Sequence, residues 1–370
     1  MCEQFDVTPI VTIDNAETAG DMADFVEFAH GDPVATEWGR KRAALGHPQP
    51  YAVSHVEIGN EQGLDAALAA QFSAIATSMD SRVEKLKLPF NFSYVFGPRP
   101  DLSPAGHWSH NWSDPGLGDV ADAMAPFGDR AFWDLHVESK GVDSLVDASG
   151  MDELRGFLAK RGQKQTRAVV LEENGCGFSH HCALNHAVLA NEYRKRGGFI
   201  RGNSITNALE AYHHIEQYSQ GTLSFLPNMT ISQPTFHANS MYAAGARNIT
   251  ELNTTVAGAN IERFQAAAGL EHVDGDSVEV FVVRIVNYGA ENVTASVELH
   301  GLTHVWPLTL AVNVTTLAGA LSAVNTPASP ETVAPVHTAV RVRVLGNGPG
   351  SVSFDLPVQP TSLTIVRVAR

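Results

Sequence analysis

Two glutamates hold the positions from which this sequence could do chemistry. Glu61 closes the run Ser54-His-Val-Glu-Ile-Gly-Asn-Glu61, and Glu172 closes Ala168-Val-Val-Leu-Glu172. Each run is short, apolar and ended by polar residues, the pattern of a buried strand that presents a side chain at its carboxyl end. Side chains alternate across a strand, so His55, Glu57, Gly59 and Glu61 share one face while Val56 and Ile58 share the other. In the second run both faces are apolar. Glu172 lies with Ala168 and Val170 on the smaller-residue face, and Glu173 lies with Val169 and Leu171, so Glu173 stays open as an alternative to Glu172. In Phe132-Trp-Asp-Leu-His136, Trp133 and Leu135 suit packing against helices, which turns Asp134 and His136 inward. Two opposed carboxylates are what cleavage of a glycosidic bond requires: one protonates the leaving oxygen, and the other attacks the anomeric carbon or activates water. Asn60, uncharged and beside Glu61, can hydrogen-bond a sugar hydroxyl next to that centre. Glutamates also end strands on ordinary surfaces, so facing alone leaves both readings standing.

The elements around these residues predict how they are held. Strand-like runs at 8–14, 51–61, 90–97, 131–137, 167–174 and 199–210 alternate with helical periodicity at 20–30, 64–79, 119–127, 150–161 and 182–196. Strand alternating with helix means parallel βα units, and a closed barrel of this kind needs eight. About six are present, which predicts an incomplete (β/α)8 barrel over residues 1–240. From about residue 250 helical periodicity stops and short alternating runs recur at 278–286, 293–299, 311–317, 339–344, 352–356 and 362–368, separated by turns such as Gly346-Asn-Gly-Pro-Gly. These predict a C-terminal antiparallel β-sandwich over 241–370.

The chain has 370 residues, with 25 Lys+Arg against 40 Asp+Glu and a formal charge of −15. An acidic balance argues against nucleic acid and anionic membrane surfaces as partners, and no apolar run is long enough to span a bilayer. Asn-x-Ser/Thr triplets at Asn91, Asn111, Asn228, Asn248, Asn253, Asn292 and Asn313 point to a secreted glycoprotein. Cys176 and Cys182 bracket a short loop and suit a local disulfide, with Cys2 left over. The alternative, metal held by these cysteines with His180 and His181, lacks the Cys-x-x-Cys spacing of a zinc site. The start, Met1-Cys-Glu-Gln-Phe-Asp-Val, carries no signal peptide and runs straight into strand-like sequence.

Three stretches resemble the family 51 glycoside hydrolases, the α-L-arabinofuranosidases with two catalytic glutamates at the ends of barrel strands 4 and 7. They are Asp21-Met-Ala-Asp-Phe-Val-Glu-Phe-Ala-His-Gly-Asp32, Trp38-Gly-Arg-Lys-Arg-Ala-Ala-Leu-Gly-His-Pro-Gln-Pro-Tyr51 and Val56-Glu-Ile-Gly-Asn-Glu61. Asp134-Leu-His136, Asn287-Tyr and Asn325-Thr-Pro-Ala-Ser-Pro with Val-Ala-Pro335 follow in the family's order. The resemblance implies Glu61 as general acid/base, Glu172 as nucleophile of a retaining reaction, Asn60 at the sugar 2-hydroxyl and His136 near the pair. It implies no metal or organic cofactor, because protonation and covalent attack both use side chains.

Three departures from the family pattern stand out. Glu173 takes the place of the usual aromatic after the nucleophile, Val137 and Glu138 stand where a tyrosine is usual, and the first two barrel strands have no counterpart. The expectation is a chain truncated at its N-terminus. The function implied is removal of terminal α-L-arabinofuranosyl residues from arabinan- or arabinoxylan-type polysaccharide. The alternatives are another retaining glycosidase on the same barrel, a xylosidase or endoglucanase, or an inactive fragment.

Overall fold

The structure is a computed structural model; it describes every residue except 1, 6, 15, 62, 64, 98–114, 139–148, 175–176, 206–208, 213–221, 245–248, 259–260, 273–278, 303–306, 347–349 and 370. It divides into two units, one of residues 1–137, 149–172 and 198–203, the other of 138–148, 173–197 and 204–370.

The first unit is built on six strands: β1 (Ile10–Ile13), β2 (His55–Ile58), β3 (Ser93–Phe96), β4 (Ala131–Glu138), β5 (Arg167–Asn174) and β6 (Ile200–Ile205). They form one sheet in chain order, with parallel pairing through β1, β2, β3 and β4. The incomplete barrel is thus present. Its helices are α1 (Ala19–His30), α2 (Glu37–Ala44), α3 (Ala66–Leu86), α4 (Pro115–Met124) and α5 (Ser149–Lys160). The starts of α1, α2 and α3 have a local cause in a side-chain cap. Thr18 and Asp21 form a reciprocal capping box at α1, and Asp65 accepts the Leu68 N–H at α3. The buried stripe of α3, with Phe72, Ile75, Ala76, Met79 and Val83, recurs at helical spacing and meets the strands. Phe72 contacts Tyr94 and Phe96 edge-on, and Trp133 contacts Phe157 of α5, so Tyr94, Phe96 and Trp133 take the helix side of the sheet. The opposite faces of β3 and β4 therefore carry Val95, Asp134 and His136.

Helix α2 carries no apolar stripe in sequence and goes unread there. It is fastened by Arg42, whose buried guanidinium donates to the carbonyls of Phe28, Gly31, His47 and Pro48. The strand expected over 199–210 is shorter: β6 ends at Ile205. Residues 209–211 form β7 (Leu209–Ala211), which pairs in parallel with β8 (Leu223–Leu226), itself paired antiparallel to β9 (Met229–Ser232).

The second unit holds α6 (His180–Lys195), α7 (Pro234–Ala243) and eight antiparallel strands: β10 (Ile249–Leu252), β11 (Phe264–His272), β12 (Glu279–Asn287), β13 (Val293–His300), β14 (Thr309–Ala318), β15 (Val336–Gly346), β16 (Ser351–Val358) and β17 (Ser362–Ala369). Their order is β10-β11-β12-β17-β14-β15-β16-β13. A register shift between Val344 and Gly346 interrupts the β15–β16 ladder. Val352, Phe354 and Leu356 of β16 share a core with Phe281, Val283 and Ile285 of β12, four places away in the ladder, so its two halves pack face to face. The other face of β12 and β17 presents Val280, Val282, Val286, Leu363 and Ile365 to α6 and α7. Burial on both faces explains why β12 reads Val-Phe-Val-Val-Arg-Ile-Val without alternation. Strand β11 was hidden by its Ala-Ala-Ala-Gly composition. Gly269 is required there, since a β-carbon would stand 2.5 Å from Ile249 Cγ2.

Candidate active site

Strand β2 leaves the sheet through a tight turn. Gly59 has φ 76° and Glu61 has φ 50°, the left-handed region, which costs a residue with a β-carbon energy that the surrounding structure must supply. The turn carries the Glu61 carboxylate back over the sheet to His136, at the far end of β4. His136 Nδ1 lies 2.9 Å from Glu61 Oε1 and 3.5 Å from Glu172 Oε2, at the far end of β5. One oxygen each of Glu61 and Glu172 and this nitrogen lie within 4.8 Å of one another. Glu61 is 46% exposed and Glu172 27%, whereas His136 is 2% exposed, so the carboxylates are the reachable groups and the imidazole is their support.

On its other side, His136 Nε2 lies 2.8 Å from Asp134 Oδ2, and Asp134 Oδ1 accepts the Leu171 N–H at 2.8 Å. Burial alone would lower the His136 pKa, but the hydrogen bond to Asp134, its charge, and the bond to Glu61 outweigh it and push the value up to about 9. With both nitrogens against carboxyl oxygens and its pKa raised, the ring is engaged on both sides and offers no free lone pair to a metal. Beneath it, Glu57 is buried and accepts a hydrogen bond from Thr12, its register partner on β1. Burial pushes the Glu57 pKa up to about 8 against the pull of the Thr12 hydroxyl, with help from the Asp134 charge.

Among the residues read from sequence, the structure brings Glu61, His136 and Glu172 together, and Asn60 lies exposed beside Glu61. It separates Glu173, which is 1% exposed and bonded to His186 of α6. Cys182 is disulfide-bonded and buried in the first turn of α6, and Cys2 is free; Cys176 lies outside the described residues. His180 Nε2 is bonded to the Thr361 carbonyl at 2.7 Å, and Cys182, being in a disulfide, has no thiolate to offer the metal alternative. Asn91, Asn228, Asn253, Asn292 and Asn313 are exposed; Asn111 and Asn248 lie outside the described residues. Among the described residues no helix is long and apolar enough to cross a membrane. Sequence facing turned Glu57 and Asp134 inward without giving them work, and it missed Thr12 and Gly97. The signal for Gly97 was a glycine closing the run Tyr94-Val-Phe-Gly97, a mark of close backbone approach.

Comparison with known proteins bears on this geometry. Residues 1–102 match the family model of the alpha-L-arabinofuranosidase 1 domain. An extracellular exo-alpha-L-arabinofuranosidase of Streptomyces chartreusis is 32% identical over 71 residues, 19% of this chain and 8% of that protein. Alpha-L-arabinofuranosidase 2 of Arabidopsis thaliana is 53% identical over 38 residues, 10% of this chain and 6% of that protein. The chain thus aligns with less than a tenth of the length of either relative. Among solved structures, a family 51 alpha-L-arabinofuranosidase of Bifidobacterium longum superposes with a TM-score of 0.70 at 14% identity, covering 99% of this chain and 78% of that one. The arabinose complex of the Thermotoga maritima alpha-L-arabinofuranosidase gives 0.69 at 15% identity, covering 100% and 77%. The fold of the whole chain is that of the family 51 arabinofuranosidases.

Proposed function

From a chain whose first 102 residues carry the alpha-L-arabinofuranosidase 1 domain and whose fold is that of family 51, we infer a retaining glycoside hydrolase that removes terminal α-L-arabinofuranosyl residues from arabinan- or arabinoxylan-type glycans. Residues 1–240 are its catalytic part and 241–370 the accompanying sandwich. The observation that carries the reading is the approach of Glu61 and Glu172, one oxygen of each within 4.8 Å beside a shared imidazolium. Retaining pairs stand about 5–5.5 Å apart and inverting pairs about 6.5–9.5 Å, the larger gap leaving room for water.

In the first step Glu172 forms an ester bond to the anomeric carbon as the bond to the leaving oxygen breaks, and Glu61 gives that oxygen its proton. In the second, Glu61 takes a proton from water as its oxygen attacks the same carbon and the Glu172 ester breaks. Two displacements at one carbon restore the starting configuration. Asn60 holds the neighbouring sugar hydroxyl, and His136 holds the two carboxylates. Five exposed sequons and the disulfide at Cys182 support a secreted glycoprotein.

The test is hydrolysis of nitrophenyl α-L-arabinofuranoside against the corresponding xyloside and glucoside, with the first-formed anomer followed by NMR. Release of the α-anomer from the arabinofuranoside is expected. The β-anomer would replace retention with inversion, and preference for the xyloside would overturn the substrate.

A further inference from the structure

Glu57 poses a problem of hydrogen bonding. Its Oε2 accepts the Thr12 hydroxyl, but Oε1 is buried and no N–H or O–H of the described residues reaches it. A buried acceptor left without a donor costs about 1–3 kcal/mol, and more when it is charged. The groups packed around it are Thr12 on β1, Gly97 after β3, and Asp134 and His136 on β4; Thr12 and Gly97 bring no charge, and the charged neighbours are the Asp134 carboxyl group and the His136 ring. A β-carbon on Gly97 would stand 2.9 Å from Glu57 Oε1 and 3.3 Å from Asp134 Oδ2, so both oxygens converge on the space that the glycine leaves open. Two carboxylates are acceptors only and cannot bond to each other. A proton on Oε1 resolves both faults, for Glu57 then donates to Asp134 Oδ2, which already accepts from His136 Nε2.

We propose that Glu57 sits in the site as a neutral carboxylic acid sharing its proton with Asp134, and that this pair is a positioning device holding His136, and through it Glu61 and Glu172, in the reacting geometry. The inference rests on the reading of Glu61 and Glu172 as the catalytic pair. The charge count favours it: one buried anion, Asp134, balances one buried cation, His136, and a second ionised carboxylate beneath them would have no partner. Burial first, then the charge and hydrogen bond of Asp134, raise the Glu57 pKa and outweigh the Thr12 hydrogen bond and the His136 charge, which lower it.

Infrared difference spectra of the full chain labelled with ¹³C-glutamate, recorded against pH and compared with Glu61→Gln to subtract the proton of the general acid, test the proton on Glu57. A protonated-carboxyl C=O band is expected at pH 6, fading as the pH passes about 8 and absent in Glu57→Gln. No such band in the wild type, or its persistence in Glu57→Gln, would overturn the proposal; the wild-type titration alone decides if the variant does not fold. Positioning is read from kinetics. Glu57→Gln, which keeps a donor toward Asp134, is expected to hold kcat within about threefold, while Glu57→Val loses on the order of 10²-fold in kcat with KM little changed. A folded Glu57→Val with wild-type kcat would remove the positioning role. A wild-type chain that shows the band yet cleaves no arabinofuranoside would instead sink the assigned function and leave the shared proton standing.

Discussion

Glu172 and Glu173 are consecutive in β5 and face opposite ways. Glu172 is 27% exposed and lies 3.5 Å from His136, whereas Glu173 is 1% exposed and bonded to His186. Strand alternation alone produces this, since adjacent side chains leave a strand on opposite faces. It separates two carboxylates that the sequence left as rivals.

Glu172→Ala should therefore lower kcat by at least about 10³-fold. Azide should restore part of the turnover by entering the emptied space and attacking the anomeric carbon, giving an arabinosyl azide of inverted configuration. Glu173→Gln should leave kcat near wild type and lower the unfolding midpoint, because it disturbs a buried bond to His186. A dead Glu173→Gln beside an active Glu172→Ala would reverse the assignment.

The buried cluster gives a signed dependence of stability on pH. The His136 pKa is raised from 6.5 to about 9 in the folded chain, so its contribution is fully present below pH 6.5 and is lost as the pH rises through about 9. The Glu57 pKa is raised from 4.5 to about 8, so the folded state also holds more protons there and loses stability between these values. Both act in one direction. Denaturant midpoints should fall from pH 5 to pH 9, and Glu57→Gln should flatten the fall between pH 5 and 8. A wild-type slope unchanged in Glu57→Gln would show that Glu57 does not titrate in this range.

How much of this was legible in the sequence depends on period. Strands β1 to β5 were readable because burial on the helix side leaves apolar runs, and the turn residues that bound them are local. The facing of Asp134 and His136 followed from alternation alone, whereas Glu61, read as the end of a strand over 51–61, lies beyond β2 and is placed by the left-handed turn at Gly59 and Glu61. Helix α2 and strand β11 were not readable, since Arg42 is held by carbonyls distant in sequence and β11 is Ala-rich to fit against close neighbours. The stretch Trp38–Tyr51, which carried much of the family resemblance, serves the scaffold here: Lys41 covers Trp38 at 3.5 Å and His47 stacks on Tyr51 at 4.1 Å. The Glu57–Asp134 pair needed three dimensions, because an unsatisfied oxygen has no sequence signature.

Gly97 should tolerate no side chain. An added β-carbon would lie 2.9 Å from Glu57 Oε1, 3.3 Å from Asp134 Oδ2 and 3.3 Å from the Gly59 carbonyl, and the backbone carbonyl cannot move as a side-chain end can. Gly97→Ala is expected to cost about 1–3 kcal/mol by overpacking and to lower kcat by on the order of 10²-fold through displacement of His136. A folded Gly97→Ala with wild-type kinetics would mean that the carboxyl pair moves without consequence.

Arg42 offers a test of scaffold against site. Its guanidinium is 0% exposed and faces no carboxylate among its hydrogen-bond partners; Nη1 donates to Phe28 O at 2.6 Å, Nη2 to Gly31 O at 2.8 Å and Pro48 O at 3.0 Å, and Nε to His47 O at 3.1 Å. One planar group thus ties the end of α1 to the chain leaving α2, and four carbonyls lose their donors if it goes. Arg42→Ala should cost about 3–5 kcal/mol, since each buried acceptor left unpaired costs about 1–3 kcal/mol and the strain is partly relieved by water. Arg42→Lys should recover only part, because an ammonium cannot match a fork that reaches four carbonyls. Denaturant unfolding measures both, and kcat per folded molecule should stay near wild type because no donor of Arg42 reaches Glu61, His136 or Glu172. A variant that keeps its midpoint but loses kcat would move Arg42 from the scaffold to the site.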